Sequence, residues 1–217
     1  MKTKVLVIPD VHGRDFWQEP CTKWDGQIIF LGDYHDPYPW QVSTKESLAN
    51  LKNLVDFYNS NKDRCIFLLG NHECSYIGSM ITCRYDVQYT KEVTELLRQL
   101  PIKLIHIQNN IIFSHAGITQ DWLQYNNIDI NDLLHFHWDD NRLNQVSFYR
   151  GGFDTYSSPI WCDVREFDTC EKPKDYYQIF GHTQLELEPI ITKEFACLDV
   201  RKGFIVNTDN NTIELCS

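Results

Sequence analysis

Five times along this chain a short apolar run stops at a polar residue able to bind a cation. The runs are Lys4–Ile8, Gln27–Leu31, Cys65–Leu69, Ile111–Phe113 and Tyr177–Phe180. They stop at Asp10-Val11-His12-Gly13, Gly32-Asp33-Tyr34-His35-Asp36, Gly70-Asn71-His72-Glu73, Ser114-His115-Ala116-Gly117 and Gly181-His182-Thr183. Apolar runs of this length bounded by turn residues read as buried strands. In layered α/β folds ligands gather beyond the carboxyl ends of strands, so loops that close several strands can meet in space. The two-residue period of a strand sends Asp10 and His12 to the same side, within reach of one ion. Singly, each block is an ordinary strand-end turn, because a lone histidine near an apolar strand is more often a hydrogen-bonded core residue than a ligand. Repeated five times, the pattern points to a common site.

Between the blocks the hydrophobic period changes. Ser43-Thr44-Lys45-Glu46 has the form of a capping box, opening a helix whose apolar face is Leu48, Leu51, Leu54, Val55 and Tyr58. A second helix is predicted over Thr90–Leu100, with Val93, Leu96, Leu97 and Leu100 on one face and Pro101 as its stop. Strands are predicted at Ile102–Ile107 and Ile111–Ser114, joined by Asn109-Asn110, and two short helical pieces follow Thr119. From about Asp139 to Tyr176 no period is visible, which suggests a lid or binding rim. Further short strands are predicted at Phe195–Val200, Phe204–Asn207 and Thr212–Leu215. Strands alternating with helices and then strands alone imply a layered α/β fold. The chain has 217 residues and is 42% hydrophobic, which favours a single domain over residues 1–217.

Thirty acidic against twenty basic residues give a formal charge of −10, the wrong balance for a protein that grips a nucleic-acid backbone. Nucleic acid is therefore not an expected partner, although small phosphates remain open because bound cations can reverse the field of an acidic pocket. No stretch is long and apolar enough to span a membrane, and the first residues hold no signal-peptide core. The eight cysteines stand singly, with no C-x-x-C pair, and read as reduced thiols of a cytoplasmic protein.

Taken together, Asp10-x-His12-Gly13, Gly32-Asp33-x-x-Asp36, Gly70-Asn71-His72-Glu73, His115-Ala116-Gly117 and Gly181-His182 resemble the calcineurin-like metallophosphoesterase superfamily. Within it they look most like the phosphoprotein phosphatase branch and its small bacterial and bacteriophage relatives. Gly-Asn-His-Glu is the most distinctive element. The resemblance implies an α/β/β/α sandwich of two mixed sheets flanked by helices. It also implies two divalent transition-metal ions, with Mn²⁺ favoured and Fe or Zn alternatives. Asp10, His12 and Asp33 would hold the first ion, Asp33 would bridge, and Asn71, His115 and His182 would complete the second. Ligation by nitrogen and oxygen without cysteine suits such metals.

The chemistry expected of such a centre is hydrolysis of phosphate monoesters, on phosphoprotein or a small phosphorylated molecule, by a hydroxide that bridges the ions. His72 is the expected acid for the leaving oxygen, oriented by Asp36. Alternatives are hydrolysis of a dinucleoside polyphosphate or phosphodiester, and a non-catalytic interaction module.

One departure stands out. The similar branch continues its second block with an arginine that grips phosphate, whereas Asp36 here is followed by Pro37-Tyr38. The expected substitute is Arg165, in a Trp161-Cys162-Asp163-Val164-Arg165 segment that resembles an element of the family, with Arg14 and Arg150 behind it; Asn71 would add a phosphate contact. His35 is expected at substrate or on the rim, His106 in a structural role, and His135, His137, Asp139 and Asp140 on a lid or surface.

Overall fold

The computed structural model describes residues 3–216. Its strands form two mixed sheets. The first contains β1 (Lys4–Ile8), β2 (Gln27–Phe30), β3 (Cys65–Leu68), β4 (Ile102–Lys103), β10 (Phe204–Asn207) and β11 (Thr212–Leu215), in the order β11-β10-β1-β2-β3-β4. The second contains β5 (Ile105–Gln108), β6 (Ile111–Ser114), β7 (Tyr177–Phe180), β8 (Ile190–Ile191) and β9 (Phe195–Cys197), in the order β5-β6-β7-β9-β8. Among the described residues five α-helices accompany them: α1 (Gln18–Lys23), α2 (Thr44–Ser60), α3 (Thr90–Leu97), α4 (Gln120–Asn126) and α5 (Val164–Thr169).

The period of two along each strand divides the core into layers. Val5 and Val7 of β1, with Ile29 of β2 and Leu31 beyond it, meet Ile111 and Phe113 of β6 and Ile179 of β7, filling the space between the sheets. Their neighbours Leu6, Ile8, Ile28 and Phe30 face the other way, onto Leu48, Leu51, Leu54 and Val55 of α2 and Val93 and Leu97 of α3. Helix α5 covers the second sheet, placing Phe167 against Phe180 and Phe195. Each of these fully buried side chains contributes roughly 1.5–3 kcal/mol of apolar transfer. The predicted box at α2 is present: Ser43 Oγ accepts the Glu46 N–H, and Glu46 accepts the Ser43 N–H.

The expected strand Ile102–Ile107 is two strands. It breaks at buried Leu104, where the chain leaves the first sheet for the second: Ile102 pairs with Phe67, and Ile105 with Ser114. An alternating pattern reads the same on either side of such a crossing, because the partners that impose it lie far off in sequence. Helix α3 ends at Leu97, with Gln99 and Leu100 in a turn before Pro101. The segment 139–176 is not structureless. It holds three-residue-period turns at Asn141–Asn144 and Phe148–Arg150 and then α5. A buried polar knot fastens it, in which Glu166 accepts from Ser147 Oγ (2.6 Å), Ser157 N–H (2.8 Å) and Ser157 Oγ (2.7 Å). Elements this short, held by polar contacts, leave no apolar stripe to read. Helix α1 is a further addition, tolerating Pro20 in its first turn.

Among the described residues, no helix is long and apolar enough to cross a membrane, and none of the eight cysteines is paired.

Candidate metal centre

Strands β1, β2 and β3 run parallel, so the loops after them leave one edge of the first sheet; β6 and β7, also parallel, send theirs from the second. The loops are stitched together by backbone. His12 N–H donates to Asp33 O at 2.6 Å, Gly13 N–H to Tyr34 O at 3.1 Å and Gly181 N–H to His115 O at 2.8 Å. Four residues of these loops, His12, Asp33, Asp36 and His182, have φ of 45°, 52°, 56° and 61°. Non-glycine residues in the left-handed region carry strain, and such strain concentrates where function demands a geometry. Glycine permits the closest approaches. A Cβ on Gly70 would lie 2.2 Å from Asp33 Oδ1, and one on Gly181 would lie 2.2 Å from Asp10 Oδ1.

Hydrogen bonds at the back of two imidazoles decide which nitrogen is bare. His12 Nδ1–H donates to His35 O at 3.2 Å and His115 Nδ1–H to Leu31 O at 2.9 Å, leaving both Nε2 lone pairs facing inward. There His12 Nε2 faces Asp33 Oδ2 at 3.4 Å, and His115 Nε2 faces the same oxygen at 3.6 Å. His115 Nε2 also lies 3.1 Å from Asn71 Oδ1 and 3.1 Å from His182 Nδ1, while His182 Nε2 is buried without a partner. The bare Nε2 atoms of His12 and His115, Asn71 Oδ1 and Asp33 Oδ2 are acceptors crowded together, and a cation is what such a nest of lone pairs fits. Two sets of donors close enough to hold an ion result, His12 with Asp33 and His72, and Asp33 with His115 and His182, and Asp33 belongs to both.

Electrostatics agree with that role. Burial alone would raise the Asp33 carboxyl, but attraction to the histidines around it, His115 and His72 foremost, outweighs it and holds the group below the usual carboxylate range. Burial lowers His12 and His182 well below an ordinary imidazole, keeping them neutral and able to donate lone pairs. Asp10 is raised by burial against the opposing pull of His115. Its carboxylate receives the His182 N–H at 3.0 and 3.1 Å and sits 3.9 Å from His115 Nδ1, so it lies beside the nest rather than within either donor set.

His72 stands at the mouth. Its backbone N–H donates to Asp33 Oδ1 at 3.0 Å, and its Nδ1 lies 2.7 Å from Asp36 Oδ2, while Tyr76 O–H donates to the other oxygen of Asp36. Burial alone would lower the ring, but Asp33 and hydrogen-bonded Asp36 prevail and push it up to about 10. Arg84 opposes them at the other nitrogen: its Nη2, a donor only, lies 3.1 Å from His72 Nε2. With Arg84 seated there the ring is held neutral, its proton on Nδ1 facing Asp36 and Nε2 accepting; Nε2 can take up a proton of its own, as the neighbouring carboxylates favour, only when Arg84 is away.

The sequence profile described as calcineurin-like phosphoesterase matches residues 3–186. The chain belongs to that family. Its fold is similar to a solved structure of a cold-active protein-tyrosine phosphatase from a psychrophilic Shewanella species, with TM-score 0.63 and 17% identity over 99% of this chain and 80% of that one. A second structure of a cold-active protein-tyrosine phosphatase gives TM-score 0.64 and 17% identity, over 98% and 78%. No curated protein sequence matches the chain significantly.

The remaining expected positions of this phosphoesterase are distributed unevenly about the nest. Arg165 has a side chain 68% exposed and is chelated by Asp163, its Nε 2.8 Å from Oδ1 and its Nη2 3.1 Å from Oδ2. Arg14 spends donors on Val11 O, Asp10 O and Gln41 Oε1, bracing the backbone behind Asp10. Arg150 pairs with Asp163 at 2.9 Å and donates to His182 O at 3.1 Å. His35 is neither at the rim nor aimed at substrate. It is buried between Ser47 Oγ (2.7 Å) and Asp86 Oδ2 (3.1 Å), and its part in the centre is the carbonyl that holds His12. The His135–Asp140 cluster lies on the surface, where His137 meets Asp139 and Asp140 meets Arg142.

Sequence reasoning missed three residues of the site. Glu73 lies inside the Gly-Asn-His-Glu block, and the block itself was its signal. Tyr76 and Arg84 follow in a stretch without period, where neither spacing nor motif marks them.

Proposed function

We propose that this calcineurin-like phosphoesterase is a two-metal phosphomonoesterase acting on phosphorylated protein. The observation that carries the reading is Asp33 Oδ2, faced by the bare Nε2 atoms of both His12, at 3.4 Å, and His115, at 3.6 Å. His12 and Asp33 would hold one ion, with the Asp10 carboxylate beside them drawn in to complete it; Asp33, Asn71, His115 and His182 would hold the other. Mn²⁺ suits these hard and borderline donors, with Fe or Zn as alternatives. Such ions supply Lewis acidity, lowering the pKa of water and neutralising charge on phosphoryl oxygens.

The chain's own residues do the rest. Asp36, fixed by Tyr76, holds the His72 ring by Nδ1 so that Nε2 is turned to the mouth, where it would carry the proton that the leaving oxygen takes. A macromolecular substrate is supported by the loops around the mouth. Those that bring Tyr38, Arg84 and Arg150 to the centre also expose Trp40, Ile81, Val87, Phe148 and Phe153. Large apolar side chains exposed on the loops that feed a site suit contact with another chain. That the Shewanella neighbour is described as a protein-tyrosine phosphatase fits the same choice. Eight unpaired cysteines support a reducing, cytoplasmic setting.

The test is a panel with Mn²⁺: p-nitrophenyl phosphate, phosphoserine and phosphotyrosine peptides, bis-p-nitrophenyl phosphate and diadenosine tetraphosphate, with elemental analysis of bound metal. Phosphopeptides should be turned over fastest. Faster cleavage of the diester or the dinucleotide would transfer the centre to that chemistry, and protein that binds no transition metal would be a non-catalytic module.

A further inference from the structure

We propose that Arg84 is the guanidinium that grips the substrate's phosphate, and that it leaves His72 to do so. This deepens the phosphatase reading and rests on it. Arg84 lies in the loop after Gly-Asn-His-Glu, with φ of 64°, a backbone state that an arginine adopts only when its surroundings impose it. Two contacts impose it here. Nε–H donates to Asp36 O at 3.2 Å, and the guanidinium lies over the Tyr38 ring at 4.0 Å. The side chain is thereby aimed at the nest, with Nη2 reaching His72 Nε2 at 3.1 Å.

Two features separate it from Arg150 and Arg165. Among the described residues no carboxylate lies within ion-pair distance of Arg84, whereas Arg150 and Arg165 share Asp163. Of its five N–H groups, Nε–H is committed to Asp36 O and one on Nη2 faces His72, while Nη1 has only the weak acceptor Cys83 Sγ at 3.8 Å. A planar fork with free donors, an unbalanced charge and a place at the mouth matches a phosphoryl group.

The contact with His72 gives the arrangement a second consequence. While Nη2 covers Nε2, no leaving oxygen can reach that nitrogen. A phosphoryl oxygen is a stronger acceptor than a neutral imidazole, so an arriving phosphate draws the guanidinium onto itself and uncovers the ring. The missing arginine after Asp36 is thus replaced from another loop by one that covers the proposed acid until phosphate arrives.

The experiment titrates inorganic phosphate into Mn²⁺-loaded protein by calorimetry, for wild type, Arg84→Ala, Arg84→Lys and Arg165→Ala, with metal content measured on each. A crystal structure with phosphate accompanies it. Arg84→Ala should weaken phosphate about tenfold or more with metal content unchanged. Arg84→Lys should recover part of the loss, Arg165→Ala should stay within twofold, and the crystal should show Arg84 on the anion and off Nε2. Phosphate held by Arg150 or Arg165 with Arg84 still against His72, or an Arg84→Ala affinity within twofold of wild type, overturns the proposal. Phosphate binding does not depend on turnover. A wild type that binds phosphate through Arg84 yet cleaves no monoester would sink the functional reading and leave this assignment standing.

Discussion

Glu73 Oε2 lies 2.8 Å from the backbone nitrogen of Asp33 and 2.9 Å from that of Gly70, while its Oε1 takes the N–H of Tyr34 at 2.9 Å. This carboxylate, without a cationic partner among the described residues, thus ties the second block to the third. Burial and Asp33 push it up to about 8 against the three N–H donors that favour its charge. Glu73→Gln would set an amide N–H against the N–H of Tyr34. Metal affinity should fall about 10- to 100-fold, as for groups that orient ligands, with a loss of about 1–3 kcal/mol in stability. Metal titration and denaturant unfolding measure the two effects; unchanged affinity would show that the loop geometry does not depend on this clamp.

His72→Asn should lower turnover about 10²- to 10⁴-fold on substrates with poor leaving groups, and much less on p-nitrophenyl phosphate, whose leaving oxygen needs little help from an acid. Metal content should be retained. Turnover of a phosphoserine peptide within a few-fold of wild type would remove His72 from the acid's role. Asp36→Asn should reproduce the pattern more weakly, because it disturbs the orientation of the ring and leaves the ring in place.

Chelation should destabilise the protein. A nest of lone pairs facing each other is relieved by cations that bind the folded chain alone, and ligand at a hundred times its dissociation constant adds about 2.7 kcal/mol. The melting temperature should fall on treatment with chelator and return with Mn²⁺. Asp33→Asn should abolish the return, since it removes the charge of the carboxylate that both histidines face.

Acid should weaken the metal-free fold in a defined window. His106 is lowered to about 4 by burial and by Lys103, whose Nζ lies 3.1 Å from its Nδ1. The unfolded chain takes up this proton near pH 6.5 and the folded chain only near 4, so the unfolded state binds more protons in between. Stability from this group is therefore complete above about pH 6.5 and is lost as pH falls toward 4. His12 and His182, lowered in the same direction, steepen the loss. His106→Phe should flatten the decline in melting temperature between pH 7 and 5; a slope equal to that of wild type would rule His106 out as a contributor.

The five blocks were readable because each follows a short apolar run and four of them set a glycine beside a donor. Both have local causes: Gly70 and Gly181 must be glycine because carboxylates press against them. The capping box of α2 is equally local. What escaped depends on distant partners. The break at Leu104 is made by pairing with Phe67 on one side and Ser114 on the other. His35 looks like a rim ligand between two aspartates until Ser47 and Asp86 enclose it. Arg165 sits in a segment of familiar form, yet Asp163 two residues earlier chelates it, whereas Arg84 reaches His72 from a loop that carries no motif.

Asp33 follows a strand of the first sheet, and His115 and His182 follow strands of the second, with Ile29, Leu31, Phe113 and Ile179 filling the layer between. The spacing of the donors is therefore set by how the two halves of the sandwich dock. A fold whose sheets slid past one another by one residue could keep its helices and much of its apolar burial, but it would offer no cage, so cation uptake during refolding would report on that docking before any substrate is added.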